Sequence, residues 1–292
     1  MHAKVLPSPG AAVMYHQSAG ERRARPLVLL HGLSADSSSW APVVERFGDD
    51  WTAYALDFRG HGRSARTPGH YRLHDYVSDA DRLLRLIGEA AIVVGHSLGA
   101  IVAAVLAQDH HPLVAAVFLE DPPLYLVAPD LFAGSSFDRS FRVLGEHVAR
   151  LQSEGAPIEV YHQLFAASPH PAGDRLGDHL HDDALWSRAA ALACTDPEAI
   201  AAVLDGTTFE TFEADRPIGC PAMVVRTDAA YDPGFLPADE IRLRASSPDV
   251  TVVAMPGAGH NIRGDRATRG PYLETLGAFL SGPIVPTVDA AS

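Results

Sequence analysis

The sequence predicts an α/β fold: a mainly parallel sheet flanked by helices, with a helical lid inserted between two of its strands. Three observations predict it. Four short runs rich in Val, Leu and Ala read as strands buried on both faces: Leu27 to Leu30, Ala53 to Leu56, Ala91 to Val94 and Val114 to Leu119. Helix-like stretches alternate with them at Ser38 to Phe47, Leu73 to Ile87 and Leu98 to Gln108. Such alternation calls for parallel strands covered by helices on both sides. The pattern then breaks between about Pro122 and Pro217, where Phe137 to Gln152, Ile158 to Ala167 and Ala184 to Ala193 read as helices and no strand signal is present.

The alternation resumes with strands at Ala222 to Arg226 and Val250 to Met255, and a helix from Arg269 to Leu280 closes the fold. The expected division is therefore a core of residues 1–121 and 218–292 and a helical cap of residues 122–217. A cap leaving between two strands lies over their carboxyl ends, where open α/β sheets bind ligands. Long insertions in compact domains are usually functional. The tail after Gly282 reads as a loose end.

Composition narrows the class. Hydrophobic residues make up 47% and charged ones 20% of the 292 positions, the balance of an ordinary globular chain. A formal net charge of −13 leaves no basic stripe for a phosphate backbone, so no nucleic-acid partner is expected, and anionic membrane surfaces would repel the chain. The N-terminus has no apolar run of signal-peptide length, and no stretch approaches the roughly 18 apolar residues of a membrane span. A cytoplasmic protein is expected. Cys194 and Cys220 fit neither a zinc spacing nor a redox pair and read as ordinary buried thiols. His179-x-His181-Asp182-Asp183 resembles a metal cluster only superficially, because side chains two apart on a helix diverge. No metal and no cofactor are expected.

The chemistry centres on Gly95-His96-Ser97-Leu98-Gly99, directly after one predicted strand and directly before a helix. A serine on so sharp a turn exposes its hydroxyl at the sheet edge, and the glycines let strand and helix approach. A helix N-cap serine would fit the same local pattern, so the surrounding residues matter. His31-Gly32-Leu33 follows a neighbouring strand, and the N–H groups of Leu33 and Leu98 are placed to form an oxyanion hole. His31 itself reads as a turn-packing residue. Gly257-Ala258-Gly259-His260-Asn261 follows the last strand on a glycine-rich loop, which makes His260 the candidate base. Serine first and histidine last is the chain order of one known arrangement of nucleophile and base.

Taken together, Leu30-His31-Gly32, Asp57-Phe58-Arg59-Gly60-His61-Gly62-Arg63-Ser64, the elbow and Gly259-His260 resemble the α/β-hydrolase fold superfamily, in its lid-bearing branch of small esterases and lactonases. The resemblance runs over nearly the whole core, whereas the lid matches in position alone. It implies a structural role for the turn from Asp57 to Ser64. The chain departs from the family at the third catalytic residue. Where relatives carry Gly-x-x-Asp after the penultimate strand, this chain has Thr227-Asp228-Ala229-Ala230. Asp228 and Asp232 flank the missing position.

Some lid-bearing relatives take the acid instead from the end of the strand after the nucleophile helix, here Glu120-Asp121. Glu120 fits that position best, while Asp121, Asp228 and Asp232 remain open to the same role. An acid at any of them would accept the imidazole Nδ1 proton and stabilise the imidazolium. Serine at the elbow excludes the alkyl-ester chemistry of dehalogenases and epoxide hydrolases, which needs a carboxylate there.

The expected protein is a serine hydrolase of a small to medium, apolar carboxylic ester or lactone. In it Ser97 is the nucleophile, His260 the base, Glu120 the orienting acid, and a homodimer is its expected assembly. A carbon–carbon bond hydrolase or a perhydrolase would use the same residues. A ligand receptor of this fold, with little turnover, is the alternative of a different class.

Overall fold

The computed structural model describes residues 1–6, 12–18 and 24–282, so the tail beyond Gly282 lies outside the described residues. The strands are β1 (His2–Leu6), β2 (Val13–Gln17), β3 (Arg25–Leu30), β4 (Trp51–Asp57), β5 (Ala91–His96), β6 (Val114–Glu120), β7 (Ala222–Arg226) and β8 (Thr251–Ala254). The core helices are α1 (Ala41–Phe47), α2 (Leu73–Ile87) and α3 (Leu98–Gln108). Between β6 and β7 come α4 (Pro129–Phe132), α5 (Ser136–Ser153), α6 (Ile158–Ala167), α7 (Leu176–His179), α8 (Asp182–Cys194) and α9 (Pro197–Leu204). The core then adds α10 (Pro237–Ser246) and α11 (Arg269–Ser281).

All eight strands form one sheet in the order β1-β2-β4-β3-β5-β6-β7-β8. β1 and β2 pair antiparallel, as do β2 and β4; every other neighbouring pair is parallel. Alternation along the central strands distributes their side chains between two cores. Val28, Leu30 and Val93 join one cluster with Leu83, Ile101 and Leu243, whereas Leu27, Leu29, Ile92 and Val94 join another with Val43, Phe47, Leu276 and Phe279. This two-sided burial is why the strands read as unbroken apolar runs. α3, with no charged residue, is buried all round beneath the elbow.

Two departures from the sequence reading concern the polar elements. The β1–β2 hairpin has no apolar run: four of its first five residues are exposed, and it holds on through pairing to β4. α10 carries four charges in ten residues and buries only Leu243, so no apolar stripe announces it. The insertion between β6 and β7 is built of helices joined by turns, with isolated bridges Pro169 to Arg175 and Leu180 to Asp265, and has its own small core of Val148, Leu151, Tyr161, Ala189, Leu192 and Ile200. Leu124, Tyr125, Ala199 and Val203 fasten its ends to the main core. Among the described residues no helix is long and apolar enough to cross a membrane.

Candidate active site

Ser97 sits between β5 and α3 with φ 52° and ψ −116°, a backbone conformation that L side chains rarely adopt. The glycines around it are required by space. A Cβ at Gly95 would run into the Gly99 carbonyl, and one at Gly99 would run into the carbonyl of Leu30. Gly99→Ala is therefore expected to cost about 3 kcal/mol of stability, read from chemical denaturation, because the obstacle is backbone and cannot turn away. A change of under about 1 kcal/mol would contradict this close packing.

Gly32 faces the elbow from the end of β3: a Cβ there would lie 2.8 Å from His96 Nδ1 and 3.0 Å from the Cβ of Ser97. The loop is held by His31, whose Nδ1 donates to the Gly32 carbonyl at 2.8 Å while its Nε2 accepts the Phe58 N–H at 3.0 Å. That pair of bonds needs the neutral ring, and burial pushes its pKa down to about 4. His31 thus packs the turn. Leu33, Ser97 and Leu98 line one small nook, and Leu98 opens α3, where its N–H has no acceptor within the helix.

The turn after β4 is organised by buried Asp57, which accepts the N–H of Ser37 at 2.8 Å and of Arg63 at 3.1 Å. Burial would raise this carboxyl, but the hydrogen bonds from His16 and Ser37 hold it down to about 2.

His260 Nδ1 meets Asp121 Oδ2 at 2.6 Å, and its ring stands at 90° to Phe137, 4.8 Å between centroids. Asp121 is fully buried and also accepts the N–H of Gly234 at 2.8 Å and of Phe235 at 3.1 Å, with Thr227 Oγ1 at 3.3 Å. Donors from three segments thus converge on one carboxylate and fix its orientation toward the imidazole. His96 Nε2 donates to the His260 carbonyl at 2.9 Å, so the residue inside the elbow ties down the histidine loop.

The expectation that Glu120 would orient His260 is corrected by this geometry. Glu120 ends β6, and its buried carboxylate is bound by Arg263 instead. Burial pushes the Glu120 carboxyl up, with Arg263 opposing the shift. Successive strand side chains point to opposite faces. Asp121, with φ 39°, has left the strand and turns toward the histidine. Arg263 completes the Glu120 site by donating to Ser39 and lying over the Trp40 ring, 3.9 Å from its centroid.

Asp228 and Asp232 do different work. Asp228 accepts the N–H groups of Ala230 and Gly257, both at 3.0 Å, and closes its own loop; Asp232 is exposed at the cavity wall. Among the aromatic side chains, Phe137 lines the cavity, Trp40 and Tyr125 are core, and Trp186 stacks on His162 at 4.1 Å.

Ser97 and His260 share a cavity of about 850 Å³ roofed by the inserted helices. Its walls are mostly apolar, with Arg188 of α8 the residue sequence reasoning missed. Its Nη1 donates to the Leu33 carbonyl at 3.1 Å and its Nη2 to Ser34 Oγ at 2.8 Å. No carboxylate lies within ion-pairing distance of it among the described residues. Nothing in sequence spacing links residue 188 to residue 33.

At the cavity edge His170, Asp174 and His179 bring three possible ligand atoms within 4.8 Å of one another. The set differs from the run His179 to Asp183 that the sequence offers as a cluster. The His170 and His179 rings are stacked, 3.7 Å apart and 13° from parallel, so their lone pairs run in parallel planes and do not converge on one ion.

Comparison with known proteins agrees with this architecture. Residues 27–269 match the alpha/beta hydrolase family. The chain is 28% identical over 245 residues to 2-(acetamidomethylene)succinate hydrolase of Mesorhizobium japonicum, covering 83% of this chain and 84% of that one. It is 25% identical over 267 residues to N-formylmaleamate deformylase of Pseudomonas putida, covering 90% and 91%. The crystal structure of E-2-(acetamidomethylene)succinate hydrolase superposes with a TM-score of 0.71 at 21% identity, over 96% of this chain and 99% of that one. With the elbow, the sheet order and the match over most of its length in agreement, this chain belongs to the alpha/beta hydrolase family and is, at that level, a hydrolase.

Proposed function

We propose that the chain is an acyl hydrolase working through a covalent intermediate, with Ser97, His260 and Asp121 as its catalytic residues. The observation that carries the reading is the buried Asp121 carboxylate bound to His260 Nδ1 at 2.6 Å, in a cavity that also contains the strained elbow serine. With Nδ1–H given to Asp121, Nε2 is left as the basic nitrogen. His260 takes the Ser97 proton as Oγ attacks a carbonyl carbon, and Asp121 stabilises the imidazolium that forms. The N–H groups of Leu33 and Leu98 receive the oxyanion. Its collapse expels the leaving group, which takes the proton from His260, and water then cleaves the acyl-enzyme by the same path.

We take residues 122–217 as the lid of this site and residues 1–121 and 218–292 as its core. A carboxylic ester or lactone is the substrate class that best suits mostly apolar walls. A fluorophosphonate probe is expected to label Ser97, located by peptide mapping, and the purified protein is expected to turn over short-chain aryl esters or lactones. A folded sample with neither property would end this reading.

A second reading is favoured by specific observations: the substrate is the amide of a small acyl group and carries a carboxylate. The nook beside Ser97 has room, about 20 Å³, for little more than a methyl-sized group. Arg188 brings to the same end of the cavity a positive charge that no carboxylate bonds directly among the described residues, although the Asp36 charge acts on it from farther off. The hydrolase of Mesorhizobium japonicum and the deformylase of Pseudomonas putida act, by their names, on 2-(acetamidomethylene)succinate and on N-formylmaleamate. Release of formate or acetate from such an amide, against no turnover of a neutral ester, would separate the two readings.

A further inference from the structure

We propose that Arg188 is a positioning residue that latches the inserted helix α8 onto the turn at Leu33–Ser34 and so holds the Leu33 N–H where the oxyanion forms. The inference rests on the acyl-hydrolase reading for its catalytic half. Its structural half stands on contacts alone. The guanidinium and the Ser34 hydroxyl make a closed triangle: Nη1 to the Leu33 carbonyl at 3.1 Å, Nη2 to Ser34 Oγ at 2.8 Å, and Ser34 Oγ to the same carbonyl at 2.7 Å.

The turn needs such support. Ser34 is fully buried with φ 57°, a left-handed conformation that costs a non-glycine residue and persists only where its surroundings over-determine it. Within the turn itself, the 3.2 Å bond from Ala35 N–H to the Gly32 carbonyl helps close it. Arg188 bonds the one carbonyl that directly follows the Leu33 N–H in the chain. That carbonyl and the Leu33 N–H sit on adjoining peptides joined through one Cα, so holding the carbonyl limits how far the N–H can move.

α8 makes a second tie to the same segment, Ser187 Oγ to Ser38 Oγ at 2.7 Å, which fixes the approach of the helix. Arg188 is used unusually, in that its two donors end on neutral oxygens of the turn rather than on a carboxylate. Burial lowers its pKa to about 10, so it stays charged at neutral pH and adds a positive field beside the forming oxyanion. The hole is then complete only when α8 is seated, which couples closure of the cavity to its competence.

Two substitutions in the full chain test this, Arg188→Met, which removes the latch, and Arg188→Lys, which retains the charge but replaces the planar two-nitrogen fork with a single, shorter-reaching ammonium. Hydrogen–deuterium exchange is read on the peptide containing residues 32–37. Kinetics are read on p-nitrophenyl butyrate and on mono-p-nitrophenyl succinate, and circular dichroism melting checks the fold of each variant. The latch predicts about tenfold faster exchange of that peptide in Arg188→Met and a smaller increase in Arg188→Lys. It also predicts that kcat falls about 10²-fold on both esters with KM unchanged, since a misplacement of about 1 Å at a catalytic group has that effect.

Exchange unchanged in a folded Arg188→Met protein would overturn the latch. So would a rise in KM confined to the succinate ester, which would assign Arg188 to holding a substrate carboxylate. If the wild-type protein turns over neither ester and Ser97 takes no label, the acyl-hydrolase reading falls by itself. The exchange measurement still decides whether Arg188 holds the turn.

Discussion

Asp121→Asn is expected to lower kcat by about 10⁴ with KM little changed. The carboxylate accepts the Nδ1 proton of His260, which fixes the tautomer that leaves Nε2 basic. An amide in its place offers either an oxygen or an NH₂ toward that ring. The carboxylate oxygens already receive the N–H groups of Gly234 and Phe235, one on each. Whichever way the amide turns, its NH₂ faces one backbone donor, at a cost of about 1–3 kcal/mol in stability. Turning the NH₂ to His260 presents a donor to Nδ1, forces the proton onto Nε2 and removes the base.

Glu120→Gln makes the opposite separation. It leaves the buried Arg263 without its counter-charge and is expected to cost about 3–5 kcal/mol in denaturant unfolding. The kcat of its folded fraction should stay within about tenfold of wild type, since His260 keeps its partner. Steady-state kinetics beside unfolding curves read both variants. Inactive folded Glu120→Gln with active Asp121→Asn would return the catalytic acid to Glu120.

Ser97→Ala is expected to lower kcat by about 10⁶ and to abolish fluorophosphonate labelling. In the proposed mechanism the group removed is the nucleophile itself, so no smaller step can replace the covalent one. A residual rate of about 10³ to 10⁴ over the uncatalysed reaction should persist, because the two N–H donors and the cavity still bind and polarise the carbonyl. Stability should change little, since alanine meets the same strained backbone as serine and Ser97 makes its backbone bond to the Glu120 carbonyl through N–H. Retention of more than about one hundredth of the wild-type kcat would remove Ser97 from the chemistry.

Much of the scaffold was legible in the chain because its physical causes are local. The central strands are apolar on both faces, and helices alternate with them at regular spacing. Ser97 and the glycines on either side form a turn whose sterics are written into five consecutive residues. His260 lies on a glycine-rich loop immediately beyond the last strand. The polar β1–β2 hairpin and the charged α10 were not legible, because what holds them is pairing and one buried leucine rather than an apolar pattern.

The sequence by itself determined an α/β sheet with an inserted helical segment, the elbow serine and the loop histidine, since each follows from neighbours a few residues away. Only the tertiary structure shows that Asp121 rather than Glu120 pairs with His260, because one step along a strand end reverses the direction of the side chain and the φ of 39° at Asp121 is set by its surroundings. It likewise brought Arg188 to Leu33, a contact made across 155 positions of chain, where no local rule of spacing or propensity carries information.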